Sequence, residues 1–319
     1  MSFSLTGVYD SSNSGSVLPV SVWLPKIEQK LQQSDFWGRF LEKTWGGAKV
    51  EFPSSGKVIK VQSRGSLAAA STPLTTTEDI SVGSLDDLVN ADVTLAEYGN
   101  SVNIASFDEF CSNVDMQADA GGLLAENVVL TKSDLVGAAY VASANNFIIS
   151  DSTTTGINGT PADGDSQLLA VHVSAIVNHL RTLGVAPMED GFYRCVGRPG
   201  MFEGIMGESG FRTDASNLGL SGPHEAGFIG RYKGILFIDE MGANAKTVAS
   251  ASGTPGGHSV IFGRSAVVGW DNFNRKDIMK VASEGLGRLS RVGWYGYLGL
   301  ARPVDTATTA RSWSIYHTA

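Results

Sequence analysis

The chain has 319 residues, of which 42% are hydrophobic and 18% charged, enough to bury a large core in one or two domains and to exclude global disorder. Its net charge of −8 excludes phosphate neutralisation as the chief source of binding energy. Two cysteines, Cys111 and Cys195, sit far apart without CxxC or histidine spacing, which argues against a disulfide framework and fits a reducing compartment.

Residues 1–20 are polar and rich in Gly and Ser, and read as an arm with little structure of its own. No basic segment leads an apolar one there, so no cleaved signal is expected, and no run of 18 apolar residues predicts a membrane helix. Helical spacing follows over 22–43, with Trp23, Ile27 and Leu31, then Phe36, Trp37, Phe40 and Leu41; Ser34-Asp35 is placed to cap a second helix. This aromatic face must pack either on its own domain or on a neighbouring subunit.

Residues 48–105 read as extended. Strands are expected at Lys57–Gln62 and Val89–Ile104, from the alternation of Val93 with Leu95 and Val102 with Ile104. The polar stretch Ser63–Leu88 between them is too long for a tight hairpin and reads as functional or ordered only by partners. Its acids Glu78, Asp86 and Asp87 are expected to face bases such as Lys57, Arg64 or Arg39 on the same or a neighbouring subunit.

Residues 106–148 read as mainly helical. Ser106 and Glu109 stand at capping-box spacing, and rows through Leu123, Leu124, Val128, Leu135 and Ala139 predict a helix of about 30 residues spanning about 45 Å, a structural spine. A loop is expected over 149–166. An amphipathic helix over 167–183 would carry Leu168, Val171, Ala175, Ile176, His179 and Leu183 on or near one face, with Gly184 closing it. Strands are then expected at Phe192–Val196, Ile235–Ile238, Ser259–Phe262, Ala266–Val268, Arg291–Leu300 and Ser312–His317, with a short helix after Pro199.

Several patterns approach catalytic or metal chemistry without completing it. Gly257-His258-Ser259-Val260-Ile261 resembles a nucleophile elbow, but Ile261 stands where the closing Gly belongs and a strand follows instead of a helix. Ser54-Ser55-Gly56-Lys57 has the Ser-x-x-Lys spacing of serine β-lactamases without the Lys-Thr-Gly partner. His172 and His179 lie on one helix face and lack further ligands, so both read as core-edge residues. Gly285-Leu286-Gly287-Arg288 opens like a dinucleotide loop but no third glycine or long helix follows. Asp239-Glu240 and Asp86-Asp87 are adjacent, so on a strand they face opposite sides and read as a solvated edge. No catalytic, cofactor-binding or metal residue is therefore expected, and no cofactor.

Three stretches carry a resemblance. Leu180-Arg181-Thr182-Leu183-Gly184-Val185-Ala186-Pro187 runs into Gly191-Phe192-Tyr193-Arg194-Cys195-Val196-Gly197-Arg198-Pro199. Ile229-Gly230-Arg231-Tyr232-Lys233-Gly234-Ile235-Leu236-Phe237-Ile238-Asp239 is the second, and Gly287-Arg288-Leu289-Ser290-Arg291-Val292-Gly293-Trp294-Tyr295-Gly296-Tyr297 the third. In this order they resemble the major capsid proteins of the N-four-like phage family; Ser283-Glu284-Gly285-Leu286 departs from that pattern, which has Asp-Pro there.

The resemblance implies an α+β chain with the Hong Kong 97-type phage capsid fold: an N-terminal arm over 1–49, an extended loop over 50–105, a peripheral domain with a long spine helix over 106–166 and 269–319, and an axial domain over 167–268. It implies a non-enzymatic shell protein of the virion, assembled in the host bacterial cytoplasm, without membrane association. Its partners would be many copies of itself in hexamers and pentamers, with cement or decoration, scaffolding and portal proteins, around DNA bound without sequence specificity. Two alternatives are an encapsulin-like compartment shell and a soluble hydrolase or binding module.

Overall fold

The computed structural model describes residues 35–45, 48–51, 56–64, 88–112, 116–143, 145–150, 155–158, 166–198, 200–211, 228–240, 258–272, 280–284, 288–303 and 310–317. In chain order, a 3-10 turn at Gly38–Phe40 leads into β1 (Thr44–Trp45), β2 (Ala48–Lys49), β3 (Val58–Arg64) and β4 (Leu88–Ala105). Helices α1 (Ser106–Cys111) and α2 (Met116–Val141) follow, then β5 (Asn146–Ile149), β6 (Thr155–Ile157), α3 (Ala170–Thr182), β7 (Tyr193–Gly197) and α4 (Glu203–Gly207). The rest is strand: β8 (Phe228–Tyr232), β9 (Ile235–Asp239), β10 (His258–Phe262), β11 (Val268–Asp271), β12 (Lys280–Glu284), β13 (Leu289–Ala301) and β14 (Ser312–Tyr316). Contacts divide the chain into a smaller unit, Met1–Ser34, Gly99–Val129 and Asn274–Tyr295, and a larger one, Asp35–Tyr98, Leu130–Phe273 and Gly296–Ala319.

The larger unit is organised by a seven-stranded mixed sheet in the order β6-β5-β14-β10-β7-β9-β8. β14 runs parallel to β5 and antiparallel to β10, and β7 parallel to β9. Its central strands are apolar on both faces because both faces are covered. One face, with Phe147, Tyr193, Phe237, Ile261 and Trp313, packs on α3; the other, with Val196, Leu236, Val260 and Phe262, packs on Trp37, Val136 and Tyr140. β3 and β4 pair antiparallel and turn Ile59, Val61, Ala91 and Val93 inward against Trp45, Val50 and Val268. They belong to a second sheet ordered β11-β13-β4-β3, with β12 also paired to β13.

The helix expected over 167–183 is α3, but its buried face is His172, Val173, Ile176, Val177 and Leu180, while Val171 is 45% exposed and Ala175 also faces out. Gly184 ends it with φ +72°, a backbone conformation that suits glycine. The long helix is α2, with 26 residues and a length of about 39 Å. Residues 146–149 are strand β5 instead of its continuation, because β14 offers them a parallel partner. The expected loop over 149–166 contains β6, paired back onto β5. Ser106 does not cap: its backbone N–H donates to the Arg288 carbonyl at 2.9 Å, and no side-chain cap bond forms at the start of α1. The expected helix through Phe36–Leu41 is only the 3-10 turn, with Asp35 Oδ1 accepting from the Gly38 N–H at 2.9 Å. The arm over 1–20 and the first half of the 22–43 segment lie outside the described residues. Of the two tail strands, β13 joins the second sheet and β14 the seven-stranded one.

Candidate assembly interface

Of the five residues expected at an assembly interface, Lys57 is exposed at the start of the β3–β4 ribbon, its carbonyl accepting from Leu95 N–H at 2.8 Å. Arg64 closes β3 opposite Leu88. Glu78, Asp86 and Asp87 lie outside the described residues, as does most of the 63–88 connection. Arg39, the other base considered, is exposed and lays its guanidinium over the rings of Phe36 and Phe40, 4.6 and 4.7 Å from their centroids.

Residues 35–45 pack on their own unit, not outward. Trp37 stacks on Tyr140 with centroids 5.4 Å apart and planes at 26°, and Phe40 meets Phe262 edge-on at 5.3 Å. Trp37 Nε1–H donates to Glu240 Oε1 and its backbone N–H to Ser133 Oγ. The Tyr140 hydroxyl donates to the Phe40 carbonyl at 2.7 Å; burial, reinforced by the negative charge of Glu42, holds that phenol well above its usual pKa. Glu42 in turn accepts from Ser265 N–H at 2.6 Å and Ser265 Oγ at 3.1 Å, holding Ser265 at φ +56°. Lys132 reaches Asp35 at 3.2 Å and Asp271 at 3.7 Å, and Lys43 reaches Asp271 at 3.3 Å. A cleft of about 510 Å³ beside this anchor carries Arg194 paired with Asp190 and Arg264 paired with Glu189.

Asp239-Glu240 is not a solvated edge. Glu240 is 3% exposed and serves Trp37; Asp239 is half-buried with Oδ1 unbonded, and burial raises its pKa. The serine of the incomplete elbow, Ser259, is fully buried, 3.0 Å from Nε2 of the equally buried His317 and 4.0 Å from Cys195 Sγ. Burial pushes the Cys195 thiol up to about 12. A Ser–His pair with no surface access holds strands together and cannot meet a substrate. His172 Nδ1 accepts from Leu169 N–H at 3.1 Å, and His179 packs edge-on to Phe147 and Trp313. Among the described residues no group of three or more His, Cys, Asp and Glu is placed to hold a metal. No helix there is long and apolar enough to cross a membrane.

The smaller unit presents apolar groups to solvent. Phe107 and Phe110, one turn apart on α1, are 72% and 88% exposed. Along β13, Val292 and Trp294 point inward while Arg291 and Tyr295 point outward. Trp294 Nε1–H and Asn100 Nδ2–H both donate to Asn127 Oδ1, tying β13 and β4 to α2 within this unit. Gly99 and Gly293 sit where a Cβ would come within 2.6 Å of the Trp294 carbonyl and 2.7 Å of Ser101 Cβ, so the two strands pass closely there. The exposed pair was missed in the sequence, although Phe107-Asp108-Glu109-Phe110 on a helix too short to bury both rings is a readable signal.

The seven-stranded mixed sheet, the 26-residue α2 and the long pairing of β3 with β4 recur in the Hong Kong 97-type fold of the phage capsid structures to which the chain is similar. No protein-family model and no curated protein matches the chain. Among solved structures it is similar to the capsid of Ralstonia phage GP4, with a TM-score of 0.62 and 14% identity over 90% of this chain and 92% of that one. It is similar to the capsid of Helicobacter pylori bacteriophage KHP30, with a TM-score of 0.57 and 12% identity over 91% of each chain. The cyanophage Pam1 capsid aligns with 100% of this chain and 98% of its own at a TM-score of 0.55 and 14% identity.

Proposed function

We propose that the chain is a major capsid protein whose copies close into the icosahedral head shell around the double-stranded DNA of a tailed phage. The observation that carries this reading is the end-to-end likeness to phage capsid chains, in which nearly the whole of both chains is matched. A shared catalytic or binding domain would match only part of a shell subunit. The partners are other copies, in hexamers and pentamers, with cement, scaffolding and portal proteins at the same shell, and the role is structural, not enzymatic. The net charge of −8 suits a wall that encloses DNA without adhering to it.

In this reading residues 1–49 are the arm, 50–105 the extended loop, 106–166 and 269–319 the peripheral domain, and 167–268 the axial domain. The axial sheet also takes in β5, β6 and β14. Lys57 and Arg64 on the β3–β4 ribbon, with Glu78, Asp86 and Asp87 in the connection, remain the proposed charged contacts to neighbouring copies. Assembly takes place in the host bacterial cytoplasm and ends in the virion.

Expression of the chain in bacteria, followed by size-exclusion chromatography and negative-stain microscopy, tests the proposal. Closed particles of uniform diameter are expected. Particles filled with cargo enzyme would turn the reading to a compartment shell, and a monomer that turns over a small molecule would overturn it.

A further inference from the structure

We infer that α1 is an intersubunit knob, docking through Phe107 and Phe110 on the outward face of the β12–β13 ribbon of a neighbouring copy of this chain. The inference rests on the shell reading above and names one contact that builds the shell.

The two rings share a helix face and are 72% and 88% exposed, whereas among the described residues Tyr295 is the next most exposed aromatic at 38%. Water around two such rings is the cost that docking removes. Their setting selects the occupant by charge. α1 carries Asp108 and Glu109 and no base, whereas residues 288–295 at the start of β13 carry the exposed Arg288 and Arg291 and no acid. Within one copy the Ser106 N–H at the start of α1 donates to the Arg288 carbonyl at the start of β13. Asp108 and Arg288 are both exposed, and among the described residues neither is engaged in an ion pair. The ribbon's outward face also offers Leu289, 41% exposed, and Tyr295 for the rings to cover. An acidic helix repels DNA and anionic lipid, so neither competes as the occupant.

Each copy carries one knob and one ribbon, so the contact is head-to-tail, and in a closed shell its rotation closes into rings. Two exposed rings amount to about 300–500 Å² at the 150–250 Å² typical of an aromatic side chain. That is well below the roughly 800 Å² per partner of a stable pair. The contact therefore holds only in a ring where every copy makes it twice and others add to it.

The experiment compares particle yield and critical assembly concentration of the full chain and its variants by sedimentation and electron microscopy. Wild-type chain must form particles; if it forms none under any condition, the shell reading itself fails. With wild-type particles in hand, F107S/F110S is expected to keep the wild-type melting temperature as a free subunit, since both rings are exposed, and to raise the critical concentration at least tenfold. D108R and R288D each set like charges against each other and are expected to assemble poorly alone. A 1:1 mixture of the two restores an opposite-charge pair only between different copies, so it should recover particles. F107S/F110S assembling at the wild-type concentration would overturn the inference, as would D108R and R288D failing alike alone and mixed. Should the serine variant not fold, the mixing result decides by itself.

Discussion

Replacing Trp37 probes whether residues 35–45 are fixed by the two interactions described for them. Trp37 is 2% exposed, stacked on Tyr140, and donates through Nε1 to a glutamate that is itself 3% exposed. W37A removes the ring and the donor together. Truncating a buried aromatic to alanine costs about 3–5 kcal/mol, part of it for the cavity left behind. W37F keeps most of the ring and its stacking on Tyr140 but takes one donor from Glu240, and a lost hydrogen bond to a charged group costs about 1.5–3 kcal/mol. The alanine variant should therefore be the less stable of the two by about 2 kcal/mol. E240Q keeps an acceptor for the indole and should cost less than W37F, and the W37F/E240Q double variant should cost less than the sum of the singles because both remove one interaction. Urea denaturation of the unassembled subunit, followed by far-ultraviolet circular dichroism, measures all four. A W37F variant within 0.5 kcal/mol of wild type would refute the Glu240 contribution, and equal losses for W37A and W37F would refute the packing one.

Three other perturbations have definite signs. Burial raises the pKa of Asp239 above its usual 3.8, so the folded state binds the proton more tightly than the unfolded one and stability falls as pH climbs from that value through the folded pKa; D239N should raise the melting temperature at pH 7 and lose its advantage below about pH 3.8. Burial lowers the pKa of His179 below 6.5, so the unfolded state binds the extra proton and stability should fall as pH drops beneath 6.5; H179F, which keeps an aromatic against Phe147 and Trp313, should flatten that part of the stability profile. Cys111 is exposed while Cys195 is buried with its thiol at about 12, so a thiol reagent at pH 8 should label one cysteine per native subunit rapidly and the second only in denaturant, and two rapid equivalents would contradict the burial.

Local patterns made most strands readable: the Val93/Leu95 alternation, the apolar run at Ile235–Ile238 and the tail strands all fall within elements of the expected kind. Errors arose where a distant partner decided. Asn146–Ile149 follows a helix and continues its apolar character, and only pairing with β14, far along the chain, makes it a strand. In α3 apolar residues occur on every side, Val171 and Ala175 as well as Val173, Ile176 and Val177, so period alone could not choose the inward face; His172 is buried there with its ring accepting from the Leu169 N–H, while Val171 is left outside. Asp239-Glu240 was misjudged because adjacent acids look solvated until the indole that Glu240 serves arrives from Trp37, 203 positions away. For the interface, the polar stretch between β3 and β4 drew attention to its acids and to Lys57, whereas the rings of α1 were passed over because 106–148 read as one mainly helical stretch, in which Phe107 and Phe110 could have found cover.

The position of β14 bears on how the protein is made. It lies in the middle of the seven-stranded sheet, between β5 and β10, although it is the last strand translated of those described. Until Trp313 and Ile315 have emerged from the ribosome, β5 and β6 have no bond to the rest of the sheet, and Phe147 lacks the indole that covers it. Closure of the core therefore awaits contacts of very long sequence separation, which makes the final step slow compared with the folding of α2 or α3 alone. A nascent chain held in that state lacks the finished core on which every surface of the larger unit is built. In the shell reading proposed above, synthesis and lattice growth are thereby separated in time, and a half-made chain tethered to a ribosome is kept out of a growing particle.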